Sequence, residues 1–224
     1  TYGTMTAFLS LVSQVQRPIV SLAGIIPKII SILASSGRII EIDNLEKEEN
    51  TLDLALKGKL GLKIKNLVFS YDKKEIMNGF NLIIKPGEVV AIVGESGVGK
   101  TTMIGLILSF LKQDKGTIEF FDEYGNKAKA SLNTRKVISY IPQGNTLFSG
   151  SILDNLKIGK EDATFEEIEE ALKNACALDF VNSLNEGLNT IIGEQGYGLS
   201  EGQAQRIAIA RALIKKSQFM ILDE

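Results

Sequence analysis

Hydrophobic and polar positions fall into distinct rhythms along the chain. In residues 1–42 apolar and small polar side chains dominate: Thr1 to Gln16 carries no charge, and only Arg17, Lys28 and Arg38 interrupt the run up to Ile40. Forty residues in helix reach about 60 Å, roughly twice a hydrocarbon core. Their Ser, Thr, Gln and Gly content suits a helix facing other helices or a water-filled path in a membrane bundle. The stretch lacks the charged start and cleavage pattern of a signal peptide. It is predicted to cross a membrane and continue into the cytosol; the alternative is an amphipathic soluble hairpin broken at Pro18 and Pro27. Residues 43–59 begin with a charged and polar run, Asp43 to Asn50, show no sustained apolar face and read as a linker.

From Lys59 the period changes to two. Leu60, Leu62 and Ile64 alternate with Lys59, Lys63 and Lys65, which predicts a half-exposed strand. Further strands are predicted at Phe80–Ile84 and, after a Pro86-Gly87 turn, at Val89–Val93. A helix follows over Thr101–Leu111, then strands near Thr117–Phe121 and Val137–Ile141 with a polar 122–130 loop between them. Ile152–Val181 reads as mostly helical, with Glu166, Glu167, Glu169 and Glu170 as a solvated face. Another helix spans Gln203–Ile214. The wholly apolar Phe219–Leu222 is what a strand buried on both faces of a parallel sheet looks like. This alternation predicts an α/β fold with a largely parallel central sheet.

Between the predicted strand at Val89–Val93 and the helix after it stand Gly94, Glu95, Ser96, Gly97, Val98, Gly99, Lys100 and Thr101. Read as G-x-x-x-x-G-K-[ST], they form a phosphate-binding loop, the bland alternative being a glycine-rich turn. Glycines let backbone N–H groups close around an anion, a helix N-terminus favours negative charge, and Lys100 can reach the β/γ-phosphates. Thr101 offers a hydroxyl to Mg²⁺. Asp223 and Glu224 end the last apolar run, where one carboxylate can join the Mg²⁺ shell and the next can polarise a water.

Composition narrows the chemistry. There is no histidine, which excludes His-based triads and His metal sites within the chain. With 25 Lys and Arg against 27 Asp and Glu, the formal charge of −2 offers no broad basic surface, so nucleic acid is not an expected partner. Cys176, the single cysteine, cannot form an internal disulfide; its apolar surroundings predict a buried structural thiol in a helix.

Leu199-Ser200-Glu201-Gly202-Gln203 precedes the helix leading to the acidic strand. Here the chain resembles the ATP-binding cassette (ABC) family, whose LSGGQ signature holds this place and order; Glu201 stands where the commonest form has glycine. Tyr71, in Phe69-Ser70-Tyr71, lies where the family's aromatic stacks on adenine. Gln143, in Tyr140-Ile141-Pro142-Gln143, falls at the family's glutamine loop. Leu147 to Ile152 and Gly193 to Gly196 look like exporter-type segments, and residues 1–42 look like the last transmembrane helix of such an exporter.

The resemblance implies a P-loop NTPase domain with a mostly parallel sheet and a helical subdomain over residues 60–224. It implies a head-to-tail pair of cassettes, homo- or heterodimeric, with ATP between them. Lys100, Thr101 and Thr102 of one copy hold the phosphates and Mg²⁺; Ser200 and Gly202 of the other close on the γ-phosphate, with Gln203 a further nucleotide-binding residue. Glu224 acts as general base or orients water, Asp223 and Gln143 join Thr101 around Mg²⁺, and Gln143 senses the γ-phosphate. The implied function is ATP binding and hydrolysis coupled to export of an unspecified substrate across the cell membrane, with the nucleotide-binding domain in the cytoplasm. In the family a further strand, an aspartate loop and a switch histidine follow the acidic pair. The chain is therefore expected to be a fragment that binds ATP weakly without useful turnover. The remaining alternative is a soluble ABC ATPase outside transport.

Overall fold

In a computed structural model, residues 2–44, 55–72, 74–144, 146–196 and 198–223 are described. Most of the 43–59 linker, and Glu224, lie outside them. The chain divides into two units, Thr1–Glu48 and Glu49–Glu224. In the first, one helix, α1 (Tyr2–Asp43), runs unbroken through Pro18 and Pro27, so the hairpin alternative is not adopted. Its 42 residues extend about 63 Å, and none is buried. Among the described residues it is the one helix long and apolar enough to cross a membrane.

The second unit begins with β1 (Leu60–Tyr71) and β2 (Lys74–Ile84). Then come α2 (Lys100–Ile107), β3 (Lys115–Asp122) and β4 (Lys127–Lys129). These strands form an antiparallel sheet in the order β2-β1-β3-β4. The period-two pattern of β1 buries Leu60, Leu62 and Ile64, with Phe120 opposite Leu62 on β3. Against them pack Met103, Leu106 and Ile107 of α2, which closes one apolar core. The expected polar 122–130 loop is shorter than predicted because it contains β4. Asp122 organises the turn, accepting bonds from the backbone N–H groups of Tyr124 and Asn126 and from the Asn126 side chain.

Beyond β5 (Ile138–Ile141) lies a helical region with its own core. The predicted helical stretch after Ile152 resolves into three short helices: α3 (Ile152–Lys157), α4 (Phe165–Asn174) and α5 (Leu178–Ser183). A two-residue antiparallel ladder, β6 (Gly150–Ser151) with β7 (Ile191–Ile192), sits beside α3. The longest helix of this unit is α6 (Glu201–Ile214), which buries Ala204, Ile207, Ala208, Ala210 and Ile214 against Leu156, Ile168 and Leu172. Ser151, Thr164 and Ser200 each cap a helix reciprocally with Asp154, Glu167 and Gln203, satisfying orphan N–H groups at three helix starts.

Five expectations need correction. Cys176 is exposed, not buried: α4 ends at Asn174, and Cys176 takes the left-handed position (φ 53°) of a C-terminal turn in which the Ala177 N–H bonds the Leu172 carbonyl. Glu167 is not simply solvated, since it pairs with Lys160 at 2.7 Å and Lys216 at 2.9 Å. Val89–Val93 forms no strand, with Val89 98% and Val93 90% exposed. Parallel pairing among the described residues is confined to β5 and β8 (Phe219–Leu222). Nor is β8 buried on both faces, for Leu222 is 58% exposed and the rest half-buried. Both departures share a cause: a strand needs backbone partners, and an apolar groove, not a ladder, separates 89–92 from β8.

Candidate functional site

The phosphate loop takes its shape from glycine. Gly97 (φ 83°) and Gly99 (φ 104°) occupy backbone conformations that side chains resist, and Gly99 immediately precedes α2. A Cβ on Gly99 would stand 2.7 Å from Ile76 Cγ2 of β2, so both the backbone angle and the neighbouring strand require glycine there. The first turn of α2 carries Lys100, Thr101 and Thr102, so its free N–H groups and positive dipole end face the loop. Lys100 Nζ donates to the carbonyls of Gly94 (2.6 Å) and Glu95 (3.1 Å), which holds the ammonium over the loop.

A groove of about 580 Å³ opens beside α2. Lys100 and Asp223 both line it, with Val90, Ile92, Met103 and Ile221 supplying apolar lining. The parallel register Ile141↔Leu222 continues by one bond, Asp223 N–H to the Ile141 carbonyl at 2.9 Å, which fixes the Asp223 backbone. The Tyr140 hydroxyl donates to Asp223 Oδ2 at 3.4 Å. Burial, then the Asp223 charge, raise the phenol above its ordinary value, so it stays a donor at neutral pH.

The other predicted residues take separate places. Gln143 is exposed two residues beyond the end of β5. Tyr71 ends β1, 47% exposed, with its ring edge-on to Phe69 at 4.9 Å. Ser200 and Gln203 bond one another, Gln203 N–H to Ser200 Oγ at 3.3 Å and Ser200 N–H to Gln203 Oε1 at 2.9 Å. The Gly202 carbonyl accepts from Arg206. None of Tyr71, Gln143, Ser200, Gly202 and Gln203 lines the groove.

Several residues not singled out in the sequence hold these pieces. Arg211 donates to the Thr146 carbonyl (3.0 Å) and hydroxyl (2.8 Å), tying the segment after Gln143 to α6. Asn155 is buried and clamps Phe148 by both its N–H and its carbonyl. An arginine within the apolar second half of α6 and a buried asparagine are the signals that mark such residues.

The site fits a polyphosphate with Mg²⁺. A glycine loop at a helix N-terminus supplies the anion cradle, and Thr101 and Asp223 are hard oxygen donors of the kind Mg²⁺ takes. Among the described residues no group of three or more His, Cys, Asp or Glu forms a metal cage, and Mg²⁺ ordinarily binds through one or two protein oxygens together with phosphates.

A family model described as ABC transporter matches residues 77–224, from within β2 through the loop and signature to the acidic pair. The chain belongs to the ABC transporter family. It is 37% identical, over 99% of its length, to an ATP-dependent lipid A-core flippase of Pseudomonas fluorescens. It is 38% identical, again over 99%, to the leukotoxin export ATP-binding protein LtxB of Aggregatibacter actinomycetemcomitans. A bacterial Atm1-family ABC exporter solved with ATP bound matches 86% of the chain at a TM-score of 0.76 and 32% identity. That agreement shows the ABC ATPase (P-loop NTPase) fold. The chain spans 38% of the flippase, 32% of LtxB and 34% of the solved exporter chain.

Proposed function

We propose that this chain is the ATP-binding and ATP-hydrolysing end of an exporter subunit, joined through α1 to the membrane and carrying its cassette in the cytoplasm. The observation that supports this most is that Lys100, at the glycine-rich start of α2, and Asp223, at the end of β8, line one groove. The loop N–H groups and Lys100 take up the charge of the β/γ-phosphates, and Thr102 lies in the same helix turn. Thr101, Asp223 and Gln143 would hold Mg²⁺, which when bound neutralises phosphate charge. Tyr71, exposed at the end of β1, offers a face to adenine. Glu224, the residue after Asp223, would accept or orient the proton of the attacking water.

Ser200, Gly202 and Gln203 stand at the N-terminus of α6, a second helix start that favours an anion, and this supports completion of the site by a second cassette, head to tail. The start of α6 would then approach the γ-phosphate bound by the other copy, and closure would bias the attached helices between two states. A phosphate-transfer site needs mainly positioning and charge, so splitting it between two copies makes hydrolysis depend on closure.

Calorimetric titration of the chain with Mg-ATP tests the reading. Lys100→Ala is expected to weaken binding about 100-fold, as for a charge-assisted contact of about 2–3 kcal/mol. A folded Lys100→Ala chain that binds as tightly as the wild type would overturn it.

A further inference from the structure

We infer that Tyr140 is a positioning residue for the metal site, its hydroxyl holding the Asp223 carboxylate in the orientation from which it serves Mg²⁺. The inference rests on the reading of Asp223 as a Mg²⁺ ligand and adds a residue that carries no part in that reading. Tyr140 stands opposite Ile221 in the parallel ladder, two residues before Asp223. Side chains two apart on a strand share a face, so Ile221 and Asp223 point the same way, and the intervening distance of about 6.6 Å matches the reach of a tyrosine laid along the strand. The ring packs against the same core cluster as Phe219 and Ile221, which restricts its rotamers, and only the hydroxyl reaches the polar end.

β5 therefore holds Asp223 twice. The Ile141 carbonyl takes its backbone N–H, and the Tyr140 hydroxyl donates to Oδ2. With Oδ2 engaged, the torsion of the carboxylate is restrained and Oδ1 remains for the metal. A carboxylate without that restraint loses rotational freedom on binding the ion, and the affinity falls accordingly. Lys100 lines the same groove, but its ammonium donates to the loop carbonyls of Gly94 and Glu95 and not to Asp223.

The test uses Mn²⁺ as the probe, titrated into the full chain at saturating ATP and followed by its electron paramagnetic resonance signal. Tyr140→Phe removes the hydroxyl and keeps the ring. It is expected to weaken Mn²⁺ binding about 3- to 10-fold, at or below the low end of outer-sphere effects because a 3.4 Å bond is long. The affinity for ATP without metal and the melting temperature stay as in the wild type, readouts that a general packing defect would move. Asp223→Asn weakens Mn²⁺ more, and adding Tyr140→Phe to it has no further effect. If Asp223→Asn weakens Mn²⁺ and Tyr140→Phe does not, or if Tyr140→Phe lowers metal-free ATP binding equally, the role of Tyr140 is overturned while the site stands. If Mn²⁺ binds no tighter than to ATP alone, or Asp223→Asn is silent, the metal-site reading fails and the inference with it.

Discussion

Gly99→Ala tests whether the shape of the phosphate loop comes from one backbone position and one neighbour. At φ 104° an alanine pays for a conformation that L-residues avoid, about 1–3 kcal/mol. Its Cβ also meets Ile76 Cγ2 at 2.7 Å. Ile76 is β-branched and stiff at χ1, so the contact cannot be relieved by swinging a flexible end, and overpacking of this kind costs about 1–3 kcal/mol. Together the two effects amount to about 2–6 kcal/mol, which either lowers global stability or pushes the loop out of its phosphate-binding shape. In the second case ATP binding weakens by more than about tenfold, since 1.4 kcal/mol corresponds to a factor of ten. Urea unfolding and titration with a fluorescent ATP analogue, run together, capture both outcomes. Ile76→Ala separates the contributions: in the double variant the steric part vanishes and the backbone part remains, leaving a favourable coupling of about 1–3 kcal/mol. A Gly99→Ala chain that matches the wild type in both measurements refutes the argument. Strict additivity with Ile76→Ala refutes its steric half.

Asn155→Ala leaves the Phe148 N–H and carbonyl and the Ser151 carbonyl without their partner, and is expected to destabilise the helical region by about 2–4 kcal/mol in urea unfolding. Glu167 is held at a pKa of about 2, first by the Lys160 ammonium and then by Lys216. Its stabilising effect is therefore complete above the unfolded value near 4.5 and is lost as pH falls from there through about 2; Glu167→Gln should flatten that part of the stability profile measured between pH 5 and pH 2.5. Cys176 should react stoichiometrically with a thiol reagent in the native chain, at a rate close to that in urea; protection in the native state would contradict its exposed left-handed turn.

What could be read in the sequence, and what could not, divides along local and long-range causes. The phosphate loop was legible because its requirements are local: Gly97 and Gly99 for left-handed backbone, then a helix start bearing Lys100. The same holds for the alternation of Leu60, Leu62 and Ile64, whose burial follows from period two alone. The three capping boxes also stand in the sequence, as Ser151 with Asp154, Thr164 with Glu167 and Ser200 with Gln203. The box at Thr164 marks one break that the single helical stretch after Ile152 concealed, whereas α5 starts after Ala177 without a side-chain cap. Cys176 was misread because an apolar neighbourhood suggests burial, whereas one left-handed residue at a helix end reverses the direction of the side chain.

Pairing between distant strands is the part that no window of residues contains. Val89–Val93 and Phe219–Leu222 are equally apolar, yet one has no ladder and the other has one on a single edge, because hydrogen-bonding partners are supplied by chain far away in sequence. The Tyr140–Asp223 contact belongs to this class. It follows from the register that sets Tyr140 against Ile221, and a slip of one residue would turn Asp223 to the opposite face from the phenol. Position along β8 brings the acid to the end of the strand, on the groove that Lys100 also lines; register with β5 decides which way its carboxylate is held. The proposed metal ligand, recognisable from four apolar residues and an aspartate, thus has its carboxylate met by a side chain 83 positions earlier.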